Sequence, residues 1–193
     1  ENGVKMSKSK GNVVDPNLIF RNEGADAMRW HLFVCSPPWI PKRFSERMVI
    51  ETRNHFLNTL WNTYYFYVTN ANIDNFNPSD EKIKKRESQN ILDKWLRSRL
   101  NRVTKTVDTS MRNYMIHVAA RAIDKFVVDD LSNWYIRRSR RRFWRAEVDD
   151  DKIAAYHTLF EALEILDRLL APFIPLVSEA MYENLSQGNG GAP

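Results

Sequence analysis

The sequence predicts an all-α protein: an antiparallel helical bundle preceded by a small segment of loop and short helices. From Ser45 onward, apolar residues return every three or four positions, which is the spacing of one face of an α-helix. No stretch shows the sustained alternation and β-branched enrichment of strands. The 193 residues, 43% of them hydrophobic, suffice for one core with a small appended unit.

The first 44 residues are predicted to form a distinct segment, rich in Lys, Gly, Ser and Pro. Asp15 precedes a proline and fits the N-cap of a short helix, which Gly24 would end. Asp26 is expected to cap a second helix, and the proline pair at 37–38 would end that helix. We expect this segment to precede the bundle as a separate unit.

Residues 45–186 are predicted to form four long helices and a shorter one. Their helical apolar patterns run from Val49 to Val68, Leu92 to Val107, Ile116 to Trp134 and Tyr156 to Leu170, with the short helix after Pro175. Asn and Asp crowd residues 70–80, which predicts a loop. The third helix is expected to continue into an arginine run. The fourth would be capped within 149–151 and end near Pro172. Residues 187–193 are predicted to be a flexible tail.

Charge is concentrated in one place. Six arginines and no acid lie between Arg137 and Arg145, whereas the whole chain has a net charge of +5, so the remainder is slightly acidic. A localised positive surface indicates an anionic partner such as nucleic acid.

Other function classes are excluded by what the sequence lacks. Its apolar runs are far shorter than the ~20 residues that cross a membrane, so no membrane partner is expected. The chain opens without an initiator Met or a signal-peptide pattern, and we expect it to be part of a longer protein. A single Cys35 rules out an internal disulfide and favours a reducing, cytoplasmic location. No metal site is predicted: Asp129 and Asp130 lack a third ligand at a suitable spacing, so arginine partners are expected for them.

Residues 5–12 read Lys-Met-Ser-Lys-Ser-Lys-Gly-Asn. Ammonium groups spaced along a short loop, with hydroxyls between them, suit a clamp for a polyphosphate. A cation that reaches a leaving pyrophosphate stabilises the transition state more than the ground state. The alternative is an ordinary solvated basic loop, which an isolated string of this kind would favour.

The arginine run is the second candidate site. On one helix Arg137 and Arg141 share a face, with Arg138 and Arg142 beside them, so their guanidinium groups can line a phosphate backbone. Trp144 is predicted to join them, since interleaved aromatics can stack on unpaired bases. In the alternative, the aromatics are core and single arginines pair with nearby aspartates.

The string of residues 5–9, followed by Lys-Gly-Asn-Val-Val-Asp-Pro, resembles the KMSKS signature of class I aminoacyl-tRNA synthetases. The resemblance implies ATP binding by the loop residues Lys5, Met6, Ser7, Lys8 and Ser9. It implies catalytic roles for Lys5 and Lys8, which would contact the ATP phosphates during amino-acid adenylation. Gly11 and Asn12 would set the turn that lets the loop move.

Four later strings are similar to the isoleucyl enzymes of that class. They are Ser-Pro-Pro-Trp at 36–39, Ala-Asn-Ile-Asp at 71–74, Asp-Asp-Leu-Ser-Asn-Trp-Tyr at 129–135 and Ala-Pro-Phe-Ile-Pro at 171–175. The resemblance implies that the bundle is an anticodon-binding domain and that residues 1–44 hold the KMSKS loop and a stem-contact segment.

The same resemblance implies a parent isoleucine–tRNA ligase that uses ATP and Mg²⁺. Its partners would be tRNA(Ile) and a catalytic domain of the same polypeptide that this chain lacks. We expect the chain by itself to be inactive and to bind no cofactor. Three alternatives stay open: a stand-alone helical RNA-binding module, a protein-interaction unit, and the same region of a valyl- or leucyl-type synthetase.

Overall fold

The computed structural model describes residues 5–80 and 88–186, and within these ranges it contains seven helices, one 3₁₀ turn and no strand. The predicted all-α fold is confirmed. The helices are α1 (Pro16–Glu23), α2 (Ala25–Val34), α3 (46–73), α4 (Ile91–Arg112), α5 (116–143), α6 (Asp150–Leu170) and α7 (Pro175–Ser186). The predicted flexible tail, 187–193, lies outside the described residues.

The two short N-terminal helices meet at a glycine. Asp15 caps α1 as predicted, because its carboxylate accepts from the amide of Asn17 at 2.9 Å. Gly24 separates the helices with φ 85°, a conformation that costs residues with a Cβ more than it costs glycine. The prediction that Asp26 caps α2 is wrong. Asp26 lies inside the first turn, and its side chain accepts from the amide of Val177 in α7 at 2.8 Å.

Helix α3 is longer than predicted. Ser45 caps its start by accepting from the amide of Met48. The helix widens to π geometry over Arg53–Leu57 and then continues as an α-helix over Asn58–Ile73. The loop predicted from residue 70 therefore begins about one turn later, since Asn70 donates its side-chain amide to the carbonyl of Phe66 and stays helical.

Helices α4 and α5 form a hairpin through a short connection. Asn90 caps α4 by accepting from the amide of Leu92 at 3.0 Å. Helix α5 consists of three segments: an α-helix over Ile116–Lys125, a π-helix over Phe126–Ile136 and a second α-helix over Arg137–Phe143. The expected continuation into the arginine run is confirmed.

The last two helices begin and end where predicted. Asp149 caps α6 by accepting from the amide of Lys152 at 2.8 Å. Helix α6 ends at Leu170, two residues before the first proline of the Ala-Pro-Phe-Ile-Pro string, and Pro175 occupies the first position of α7.

One hydrophobic core joins α2 to every later helix. Trp30 of α2 is fully buried, stacks on Phe56 with ring centroids 3.9 Å apart, and meets Phe173 edge-on at 5.9 Å. A smaller cluster of Ile19, Ala27 and Val49 joins α1 to α2 and α3. The division into residues 1–44 and 45–186 stays a prediction, although Trp30 already belongs to the core of the bundle.

Two arginines link the N-terminal helices to the bundle. Arg29 donates to the carbonyls of Phe173 at 2.9 Å and Pro172 at 3.0 Å, just beyond the end of α6. Arg121 of α5 donates to the carbonyl of Val34 at 2.8 Å, and to the next carbonyl at 3.1 Å. Arg121 thus satisfies carbonyls that the end of α2 leaves without a partner, and Arg29 satisfies those of the turn that follows α6. None of the helices in the described ranges is long and apolar enough to cross a membrane.

Candidate nucleotide and nucleic-acid sites

The loop of residues 5–12 is closed by its own hydrogen bonds. The side chain of Asn12 spans it, accepting from the amide of Ser7 at 2.8 Å and donating to the carbonyl of Lys5 at 3.2 Å. The hydroxyls of Ser7 and Ser9 lie 2.7 Å apart, and Gly11 turns the chain with φ 61°. These contacts hold the loop in a closed turn.

The loop presents its polar surface to solvent. Lys5, Met6 and Ser9 are exposed, and Met6 keeps 48% of its accessible surface. Lys8 begins the 3₁₀ turn, but its side chain lies outside the described residues. Contact between Lys5, Lys8 and ATP phosphates therefore stays a prediction.

Four arginines near the end of α5 are exposed, and we call them the arginine face: Arg137, Arg138, Arg140 and Arg141. Two of them lie over aromatic rings. The guanidinium of Arg138 is 3.7 Å from the ring centroid of Trp134, and that of Arg140 is 5.9 Å from the centroid of Trp144. Among the described residues, no ion pair involves these four arginines. Their charge is therefore free to meet a polyanion.

The prediction that Arg142 lies beside Arg138 on the exposed surface is wrong. Arg142 is only 6% exposed, and its guanidinium forms a bidentate pair with Asp93 at 2.7 and 2.9 Å. It also contacts Asp151 at 2.8 and 2.9 Å. The hydroxyl of Tyr135 donates to Asp93 at 2.8 Å. Arg142 thus binds α5 to the starts of α4 and α6.

The electrostatics of this cluster follow from its burial and pairing. Burial raises the pKa of Asp151, but the hydrogen bonds and charge of Arg142 outweigh it, and the net pKa is lowered. Burial alone would lower the pKa of Arg142, yet Asp93 and Asp151 raise it above its usual value. Both partners are therefore ionised at neutral pH. Arg145 similarly pairs with Asp149 at 3.1 Å.

The aromatics of the run divide between core and surface. Phe143 is buried, as the core alternative supposed, whereas Trp134 and Trp144 are 44% and 64% exposed. Trp144 is accessible to a partner, and its contact with nucleic acid stays a prediction. Sequence reasoning missed Trp95 of α4, which lies against Trp134 with ring centroids 6.3 Å apart.

The acids beside the arginine run have basic partners. The expected arginine partner of Asp130 is Arg99, at 2.7 Å. The same expectation for Asp129 is wrong, because Lys125, one turn earlier on the helix, pairs with it at 2.8 Å. In the described part of the chain, no three His, Cys, Asp or Glu side chains come together as a metal site would require.

Two family models match the chain. The first is the anticodon-binding domain of tRNA ligases, over residues 93–191, and the second is the class I tRNA synthetases for I, L, M and V, over residues 1–45. The chain therefore belongs to the family of tRNA-ligase anticodon-binding domains, and its first 45 residues match the class I tRNA synthetases.

Curated relatives narrow the resemblance to one amino acid. The chain is 52% identical to the isoleucine–tRNA ligase of Clostridium novyi (strain NT) over 96% of its own length. It is 49% identical to the isoleucine–tRNA ligases of Dehalococcoides mccartyi (strain CBDB1) and Bacillus thuringiensis (strain Al Hakam), again over 96%. The predicted likeness to isoleucyl enzymes is confirmed. The chain spans 18% of the length of each relative.

A solved structure shares the fold. The ternary complex of Agrobacterium radiobacter K84 agnB2 LeuRS with tRNA and LeuAMS matches with a TM-score of 0.72 over 99% of this chain and 21% of that chain. Its sequence identity is 23%, so the likeness concerns the fold alone.

Proposed function

We propose that this chain is the part of an isoleucine–tRNA ligase that holds the anticodon arm of tRNA(Ile) and supplies the KMSKS loop to the active site. The observation that carries the proposal is the arginine face, in a chain that belongs to the anticodon-binding family. The enzyme would work in the cytoplasm, and the half-buried free Cys35 is compatible with a reducing compartment.

The arginine face suits a nucleic-acid backbone. Arg137 and Arg141 are one turn apart, so their guanidinium groups can follow successive phosphates. Each phosphate that they neutralise releases counterions, which makes binding strongly dependent on salt. Without these four arginines the chain has a net charge of only +1, so it would gain little from non-specific attraction elsewhere.

The KMSKS loop would act on ATP. Lys5 and Lys8 would place positive charge on the phosphates where negative charge develops as pyrophosphate leaves, with isoleucyl-adenylate as the product. The loop backbone supports this by holding both ends of the motif together through Asn12. Magnesium would arrive bound to ATP, and the described residues contain no group of three His, Cys, Asp or Glu side chains that could hold it separately.

Binding of tRNA(Ile) tests the proposal. The triple variant Arg137→Ala, Arg140→Ala, Arg141→Ala should bind more weakly than the unaltered chain, and its plot of log affinity against log salt should be shallower by about 2 to 3. Arg112→Ala is the control, because Arg112 is exposed but pairs with Asp108 within α4.

Two outcomes would count against the proposal. If the triple variant and the Arg112 control had the same affinity and salt slope, the arginine face would not be the binding surface. If the chain bound tRNA(Leu) or tRNA(Val) as tightly as tRNA(Ile), the assignment to isoleucine would lose its support. We also expect no ATP–pyrophosphate exchange from the chain alone.

A further inference from the structure

Beside the arginine face lies a cleft of about 530 Å³ between α4 and the π-helical segment of α5, which we call the tryptophan cleft. Its lining comprises Ile91, Leu92, Trp95, Asp129, Asp130 and Trp134. The lining is mostly apolar, with two carboxylates on the α5 side. Nothing in the site described so far uses this space.

The two indole rings of the cleft do not fill it by stacking on each other. The rings of Trp95 and Trp134 are 6.3 Å apart and their planes diverge by 52°. In the core, by contrast, Trp30 and Phe56 stack at 3.9 Å with planes 15° apart. Trp134 keeps 44% of its surface exposed. An open aromatic wedge of this kind offers a face on which another flat ring can stack.

One arginine joins the cleft to the arginine face. The guanidinium of Arg138 lies over the ring of Trp134, 3.7 Å from the ring centroid. Arg138 is exposed, and so is Arg137, the residue before it. A polyanion held by the arginine face would therefore pass the mouth of the cleft, and Arg138 would contact both its backbone and the group that enters.

The carboxylates favour a particular kind of ring. Asp130 is held by Arg99 and Asp129 by Lys125, each through Oδ2. These pairs fix the carboxylates on the wall of the cleft, where they can accept hydrogen bonds but not donate them. Adenine, cytosine and guanine carry an amino group that donates to a carboxylate, whereas uracil presents a carbonyl oxygen where cytosine has its amino group.

We propose that the tryptophan cleft binds one unpaired base of the RNA held by the arginine face, and that it prefers a base with an amino group over uracil. The inference rests on the proposed function, since it names a contact within the same interface. An aliphatic side chain of a protein partner is a poorer occupant, because the two wall carboxylates would lose solvent without gaining a donor from it.

The test is a set of mutant cycles across the interface. Each unpaired loop nucleotide of the tRNA(Ile) anticodon stem-loop is replaced in turn by an abasic residue, and affinities for the chain and for Trp134→Leu are measured by fluorescence anisotropy. At one position the abasic change should weaken binding to the unaltered chain by about 5- to 100-fold, and binding to Trp134→Leu by less than about 2-fold. The slope of log affinity against log salt should be the same for Trp134→Leu as for the unaltered chain.

Matched variants separate stacking from folding. Tyr182→Leu is the control, since Tyr182 is 49% exposed on α7 and is not part of the cleft lining, and it should lose affinity at the same abasic position as the unaltered chain. Trp134→Phe keeps an aromatic ring, so the abasic change should still weaken its binding, but by less than it weakens binding to the unaltered chain. At the coupled position, cytosine should bind more tightly than uracil, and Asp129→Asn should narrow that difference because an amide can donate as well as accept.

The outcomes distinguish the cleft from the wider proposal. If the chain binds the stem-loop with the expected salt dependence but Trp134→Leu shows every abasic loss undiminished, the cleft is not a base site and the arginine face still stands. If the chain does not bind the stem-loop at all, the proposed function fails together with the inference. Equal affinity for cytosine and uracil at the coupled position would overturn the stated preference.

Discussion

At the scale of single residues, Arg142 shows that one member of a charged run can be buried while the others are exposed. It belongs to the same string as the exposed arginines, yet its neighbours Tyr135, Ser139 and Phe143 on the helix surface are all buried. Asp93 is fully buried at the start of α4 and receives the guanidinium of Arg142. A signal for this pair was present, since Asp93 lies three and seven residues before Leu96 and Leu100, on the apolar stripe of its helix, where a charge needs a partner.

Replacing Arg142 should therefore cost stability. Arg142→Met leaves the buried carboxylate of Asp93 without its cation, and we expect the free energy of unfolding in urea to fall by about 3 to 5 kcal/mol. Arg140→Met, on the exposed side of the same helix, should change it by less than about 0.5 kcal/mol. Equal effects of the two substitutions would contradict the assignment of Arg142 to the core.

The pairing of Arg142 with Asp151 makes the stability of the chain depend on pH. Because the pKa of Asp151 is lower in the folded chain than its unfolded value of about 3.9, its pairing contributes stability above that pH and loses it as the pH falls through the folded pKa. Below about pH 4, the unaltered chain should therefore lose stability more steeply than Arg142→Met. Parallel pH profiles would mean that Arg142 does not stabilise the ionised form of Asp151.

At the scale of helices, periodicity and capping residues predicted most of the fold. Asp15, Asp149, Pro172 and Pro175 mark the helix limits that they were expected to mark. The π segments escaped prediction, because a helical wheel assumes hydrogen bonds to the fourth residue back, whereas the amide of Arg137 donates to the fifth, at Ser132. Each such turn shifts the register of the side chains after it.

Asp26 also escaped, because its partner is distant in the chain. Its carboxylate caps α7 from 151 residues away, a relation that local sequence rules do not contain. Asp26→Ala should leave the amide of Val177 unsatisfied, lower the unfolding free energy by about 1 to 2 kcal/mol, and speed hydrogen exchange in the first turn of α7. Asp15→Ala removes a cap from α1 instead and is the control. Unchanged exchange at the amides of residues 176–178 would contradict the cap.

At the scale of the whole molecule, α2 and the bundle share one core through Trp30, and α1 joins through the smaller cluster of Ile19, Ala27 and Val49. Composition separates the first 44 residues from the rest, but composition does not report which aromatic rings meet after folding. The candidate sites divide in the same way. Sequence identified the KMSKS loop and most of the arginine face, whereas Trp95 and the cleft depend on contact between two helices.

A shared core predicts cooperative unfolding. Far-UV circular dichroism and tryptophan fluorescence should report one coincident transition in urea. Trp30→Ala should lower the unfolding free energy by about 3 to 5 kcal/mol and keep the transition single, since the cavity lies where α2, α3 and the Phe173 turn meet. Trp39→Ala should have a small effect, because Trp39 is mostly exposed. Two separated transitions would show that the N-terminal helices fold independently.

The place of α3 bears on how the chain can be divided in the laboratory. The anticodon-binding family model begins at residue 93, after α3 has ended. Yet α3 supplies Phe56, Leu60 and Tyr64, all fully buried against the later helices. A recombinant piece that begins at the family boundary would lack α3, so the apolar surface of the later helices that α3 covers would be exposed and the piece would tend to aggregate. A piece that begins before α1 would keep that surface covered. The region that the family model matches is therefore smaller than the part of the chain that shares one hydrophobic core.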